Sequence, residues 1–160
     1  MEKRFRNYFE KGDFPARMTS TTEFIDDDCL FMIDGIACRK GVEMTELKRV
    51  TTPHSYSTAV AAGDFIFLGL HRGLGDDFAI QFDDTFKHME KTLAKFDLTL
   101  THLVKVNVWL KNIKDLPEME NRFHNYFEKG DFPARMTSTT EFIDDDCLLM
   151  IDGIAYRKNK

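Results

Sequence analysis

Two patterns in this sequence place chemically capable residues where they could act. The first is Phe132-Pro133-Ala134-Arg135. Proline fixes its own backbone angle and so helps to aim the arginine that follows. A guanidinium matches the two oxygens of a carboxylate with two parallel N–H donors. The second is Asp152, inside the apolar run Leu148-Leu149-Met150-Ile151-Asp152-Gly153-Ile154-Ala155. A charge in such a strand needs a hydrogen-bonding partner, or a place at a surface, cavity or subunit interface. Each pattern also has a plain structural reading: a structural or solvated arginine near a strand end, and an aspartate at a subunit interface.

Other reactive residue types carry less. Ser55 and Ser57 have no base placed beside them by the sequence, so nothing marks a serine nucleophile. His88 and His102 read as structural or solvated. Three cysteines without a CxxC or Cys/His spacing make neither a disulfide framework nor a zinc site, so no metal ligand is assigned. Trp109 on a lysine-bearing strand face is the one base-stacking candidate. The chain carries 22 basic against 27 acidic residues, a net charge of −5, without a basic aromatic patch. That balance argues against nucleic acid as a partner. No apolar run reaches the roughly 20 residues that span a bilayer. Met1-Glu2-Lys3-Arg4 lacks the apolar core of a signal peptide, and the expectation is a cytoplasmic protein with no membrane partner.

The 160-residue sequence contains a long internal repeat. Residues 1–40 and 119–158 align without a gap and differ only at Lys3/Asn121, Arg6/His124, Phe31/Leu149 and Cys38/Tyr156. Cys29 and Cys147 are therefore one position written twice. Gly41-Val42-Glu43 reads as a joint. The expected organisation is a complete domain over 44–160, preceded by 1–43, a partial copy of that domain's own end. Arg17 and Asp34 duplicate Arg135 and Asp152, in roles the sequence leaves open.

The complete unit divides into elements that must position these groups. LKRVTT (47–52) suits a first strand. Residues 56–70 read as a hairpin turning at Ala62-Gly63-Asp64. Phe78, Phe82, Phe86, Met89, Leu93 and Phe96 recur at helical spacing, with Asp76 and Asp77 available as caps. Val104, Val106, Val108 and Leu110 alternate as in a half-buried strand. A second helix starts with Asp115 and Glu118 at capping-box spacing. Strands over 134–143 and 147–157 close the chain, joined by an Asp144-Asp145-Asp146 turn. The order is β-β-β-α-β-α-β-β, an α+β fold with two helices on one face of the sheet. The N-terminal copy would add an extra α-β-β piece, which cannot bury its apolar faces alone. The second copy is expected in the usual place beside the middle, with the first docked elsewhere.

Over 47–158 the sequence resembles the RidA/YjgF imine-deaminase family, also labelled L-PSP. The resemblance rests on VKVNVWLKNIKDL (104–116), NYFEKGDFPAR (125–135) and the closing DGIAYRK (152–158). It implies a chorismate-mutase-like fold and a homotrimer with clefts between subunits. It implies hydrolysis of reactive 2-enamine or 2-imine acids, of the 2-aminoacrylate type, to 2-keto acids and ammonia, without a cofactor. By position it gives Arg135 the grip on the substrate carboxylate, Tyr56 a place in the cleft wall and Asp152 a water to orient. Gly69 borders the cleft, and Thr137 falls where the family keeps a small residue. Leu68-Gly69-Leu70 stands where the family has Ser-Gly-Gln, and Asp152 where it has glutamate. Two other functions stay open: a non-catalytic regulatory trimer that binds a small carboxylate in the same cleft, and RNA cleavage or translational inhibition.

Overall fold

The computed structural model describes residues 6–10, 13–17 and 47–157. Cys29, Asp34, Cys38, the strands expected over the rest of the first copy and the joint at 41–43 lie outside the described residues.

The elements are β1 (Lys48–Thr51), β2 (Ser57–Ala62), β3 (Phe65–His71), α1 (Phe78–Ala94), β4 (Leu103–Leu110), α2 (Leu116–Phe123), β5 (Ala134–Thr139) and β6 (Leu149–Tyr156). Among the described residues the strands form one six-stranded sheet in the order β1-β2-β3-β6-β4-β5. The fold is α+β, as expected. Gly63, at φ +60°, makes the tight β2–β3 turn, a conformation that glycine adopts without steric cost. Asp77 caps α1, its Oδ1 accepting the Ile80 amide at 2.8 Å.

One face of the sheet carries the core. Ile66, Val106, Val108, Leu110 and Ile151 are buried there with Phe82, Phe86, Met89 and Leu93 of α1 and Met119 and Phe123 of α2. Aromatic rings join the two helices. Phe82 meets Phe123 edge-on at 5.5 Å, and Phe86 stacks on Tyr126 at 4.2 Å, geometries that suit the ring quadrupole. The Tyr126 hydroxyl donates to Asp83 at 2.8 Å.

Two local expectations fail for physical reasons. The strands on either side of the triple aspartate are not neighbours. β6 runs between β3 and β4, antiparallel to both, and β5 pairs parallel with the outer side of β4. The apolar β6 needs burial on both edges, whereas the Thr- and Ser-rich β5 tolerates an exposed edge. Asp115 holds the N-cap position of α2, but its side chain makes no capping hydrogen bond. A short 3-10 turn, Ile113–Asp115, precedes the helix, and Asn112 caps that turn by accepting the Lys114 amide at 3.0 Å. Burial and the neighbouring Glu118 push the Asp115 carboxyl upward.

Both copies of the repeat adopt the same local shape where described. The Asp13 amide donates to the Glu10 carbonyl at 3.0 Å, and the Asp131 amide to the Glu128 carbonyl at 3.0 Å. The Phe9–Phe14 and Phe127–Phe132 rings are each 6.3 Å apart. The second copy supplies α2 from Met119 on, β5 and β6 to the sheet and core. The described part of the first copy lies against the start of β2.

Candidate functional site

Residues 13–17 dock on the segment that leads into β2. The Ser57 amide donates to the Pro15 carbonyl at 2.9 Å, and the Ser57 hydroxyl to the Phe14 carbonyl at 2.6 Å. Ala16 forms a parallel bridge with Ser57. Phe14 is only 4 % exposed. Arg49 and Asp13 add an ion pair at 3.5 Å.

This docking carries Arg17 to the sequence-predicted cleft residues. Its guanidinium donates to the buried Ser55 hydroxyl at 3.1 Å and lies 5.4 Å from the centre of the Tyr56 ring. The Tyr56 ring also stacks on His54 at 5.8 Å. Gly69 closes the floor. A Cβ there would sit 3.2 Å from the carbonyl oxygens of both Arg17 and Ser57, so the absence of a side chain is what lets segment and strand approach.

Asp152 stands one strand away. Leu68 faces Gly153 and His71 faces Ile151, with an irregularity between, so Asp152 lies across from the bulge at Gly69 and Leu70. Its carboxylate accepts the Asn107 amide N–H at 2.7 Å and the Trp109 indole N–H at 2.9 Å. These are neighbouring β4 residues on the sheet face opposite the helices. The partner that a strand-borne charge requires is therefore supplied by β4.

Arg135 is elsewhere. It pairs in register with the core-facing Val106, and its guanidinium reaches Glu120 and lies 4.6 Å from the centre of the Phe123 ring, both on α2. Thr137, two residues on, is opposite Val108 on the same edge strand. The structure thus brings Arg17, Tyr56, Gly69 and Asp152 around the β3 bulge, and leaves Arg135 and Thr137 at the β5 edge.

His71-Arg72 reads in the sequence as added charge beside this region, but burial keeps the His71 ring neutral. It is buried, its Nδ1 2.7 Å from the Gly69 carbonyl and its Nε2 2.9 Å from the Thr92 hydroxyl. A carbonyl only accepts, so Nδ1 carries the proton and Nε2 accepts from Thr92. Burial lowers its pKa to about 4, against the raising effect of the Gly69 bond. The neutral ring ties the bulge to α1. Its place in an alternating strand, between the core-facing Leu68 and the loop, was the available signal. Arg72 pairs with Asp144 at 2.5 Å and Asp146 at 2.8 Å, pinning the triple-aspartate turn. Buried Cys147 has its thiol pushed up to about 11 by burial, which makes it a poor nucleophile.

The family model described as endoribonuclease L-PSP matches residues 46–157. A RutC family protein of Pyrococcus horikoshii is 27 % identical over 111 residues, covering 64 % of this chain and 87 % of that protein. A solved structure from Streptococcus pyogenes, a member of the yjgF family, is 32 % identical with a TM-score of 0.66, covering 72 % of this chain and all of the other. A YjgF family structure from Neisseria meningitidis, 24 % identical, shares the fold with a TM-score of 0.68 over 72 % of this chain and 98 % of that one. Among the described residues no helix is long and apolar enough to cross a membrane.

Proposed function

This chain belongs to the endoribonuclease L-PSP family, which includes the YjgF proteins, and on that premise we propose that it hydrolyses reactive 2-enamine and 2-imine acids to 2-keto acids and ammonia in the cytoplasm. The observation that supports this reading is the position of Arg17, beside Tyr56 and the Gly69 backbone, with Asp152 across the bulge. In this reading Arg17 grips the substrate carboxylate with a charge-assisted fork. Tyr56 walls the cleft, and Gly69 lets the Arg17 backbone approach it. Asp152, held by Asn107 and Trp109, orients a water. The iminium carbon is already electrophilic. Water oxygen bonds to that carbon, the C–N bond breaks, and nitrogen leaves as ammonium while the carbonyl forms. Positioning of carboxylate and water is the main help needed, so no cofactor enters. The reading keeps a homotrimer with clefts between protomers. Arg135 and Thr137 then serve as a second arginine element on the β5 edge.

The decisive measurement is a coupled assay. The protein is added to a serine or threonine dehydratase, and keto-acid release is followed while semicarbazide traps free imine. Acceleration that disappears with Arg17→Ala is expected. No acceleration by the wild-type chain would overturn the reading.

A second reading, a regulatory trimer that binds a small carboxylate without turnover, is favoured by one observation. Leu68 is buried and Leu70 half-buried beside Gly69, so neither places a polar side chain there. Binding of a 2-keto acid by calorimetry, abolished by Arg17→Ala and unaccompanied by turnover, would select it.

A further inference from the structure

We propose that His71 is a positioning residue for the cleft: its imidazole ties the Gly69 carbonyl to α1 and so sets the bulge that holds Gly69 between the Arg17 backbone and Asp152. The inference rests on the deaminase reading for one of its two readouts; the other needs no substrate.

Leu68 is opposite Gly153 and His71 is opposite Ile151, so Gly69 and Leu70 together face Asp152. An extra residue of this kind bends a strand and re-aims what it carries. Here the bend is held from the helix side. The His71 Nδ1–H donates back to the Gly69 carbonyl at 2.7 Å, and the Thr92 hydroxyl holds Nε2 at 2.9 Å. His71 is buried, so water does not compete for these bonds.

The anchor on α1 belongs to a series. Gln81, Asp84, Thr85, His88 and Thr92 follow one another at helical spacing. The His88 Nδ1–H donates to the Arg72 carbonyl at 2.9 Å, and the Thr85 hydroxyl accepts the Gly73 amide at 2.8 Å. Asp84 accepts the Leu74 amide at 2.9 Å, and the Gln81 side-chain amide donates to the Gly75 carbonyl at 2.9 Å. The loop lies so close that a Cβ at Gly73 would be 2.0 Å from the Gln81 carbonyl oxygen. The helix thus holds the backbone of 72–75 residue by residue. Loop anchoring is complete without His71; what His71 adds is a fixed Gly69.

Without the Nδ1–H, the Gly69 carbonyl loses its donor and the bulge relaxes towards regular pairing. Gly69 then shifts against Arg17 and relative to Asp152. A misplacement of about 1 Å in such a site costs about a hundredfold in rate.

The test compares His71→Asn with His71→Leu in the full chain. Asparagine keeps an N–H donor near the place of Nδ1 but leaves a void; leucine fills the space without a donor. A role confined to stability gives asparagine no advantage, because its void and its buried amide are both costly. In the coupled dehydratase assay, His71→Leu is expected to lower kcat/KM by about ten- to a hundredfold and His71→Asn to stay within about threefold of wild type. The second readout is the emission of Trp109, whose indole donates to Asp152 at 2.9 Å. A red shift is expected in His71→Leu and the wild-type maximum in His71→Asn, with urea titrations recording the stability of both. The proposal is overturned if the two variants share one emission maximum, or if His71→Leu keeps the wild-type kcat/KM. A wild-type chain without turnover overturns the deaminase reading alone, and the emission comparison then decides the role of His71.

Discussion

The guanidinium of Arg17 lies 5.4 Å from the centre of the Tyr56 ring, although the two residues belong to different halves of the repeat-and-domain organisation. The arginine next to the tyrosine is the one from the partial copy. Its twin, Arg135, points to the α2 side and meets Glu120.

This difference separates the two arginines experimentally. Arg17→Lys keeps the charge but loses the fork, and one lost charge-assisted bond is worth about 1.5 kcal/mol. KM for the imine acid is expected to rise about tenfold, with kcat little changed. Arg135→Ala removes a half-exposed ion pair and a ring contact, so it costs about 0.2–1 kcal/mol of stability and leaves KM near wild type. Steady-state kinetics on both variants, with urea titrations, give the comparison. Equal KM effects would show that the two positions are equivalent.

Asp152→Ala leaves the Asn107 and Trp109 donors without the carboxylate that accepts them at 2.7 and 2.9 Å. An unsatisfied, partly buried donor costs about 1–3 kcal/mol, so the unfolding midpoint in urea is expected to fall accordingly. Trp109 is the chain's single tryptophan, and its emission reports the loss directly. A red shift should accompany Asp152→Ala and be smaller for Asp152→Asn, which retains one accepting oxygen.

How much of this was legible in the sequence follows the range of the forces involved. The helix of Phe82, Phe86, Met89 and Leu93 and the alternation of Val106 and Val108 are local periodicities, and both survive in the structure. The Asp77 cap is likewise local. The place of β6 between β3 and β4 is not, because it depends on which strand most needs two partners. The Asp152 pattern announced a need for hydrogen bonds, but only β4 pairing names Asn107 and Trp109. The two arginines are indistinguishable in sequence, since each follows the same Phe-Pro-Ala. Docking of 13–17 on Ser57 is what distinguishes them, and that contact joins segments some 40 residues apart.

Gly153 tests the packing behind the site. A Cβ there would lie 2.7 Å from the Lys105 carbonyl oxygen and 3.3 Å from a Val106 methyl. Neither backbone nor core can yield freely, and overpacking of this kind costs about 1–3 kcal/mol. Gly153→Ala should therefore lower the melting temperature. Gly69→Ala meets the Arg17 and Ser57 carbonyls, each at 3.2 Å. It is expected to cost the sheet less than Gly153→Ala while exposing 13–17 to limited proteolysis. The contrast between the two alanines, measured by calorimetry and trypsin digestion, separates sheet packing from segment docking.

His71 sets a pH dependence whose sign follows from its burial. Its pKa falls from 6.5 to about 4 in the folded protein. Above 6.5 the ring is neutral in both states and costs nothing. As pH falls from 6.5 towards 4, the unfolded chain binds a proton that the folded chain refuses, so stability declines across that window. Below about 4 both states are protonated and the loss is complete, at about 3 kcal/mol. Denaturant titrations between pH 7.5 and 4.5 should show this decline, and His71→Gln should flatten it while lowering stability at pH 7.5 through the lost Gly69 and Thr92 bonds. An equally steep decline in the variant would move the effect to other groups.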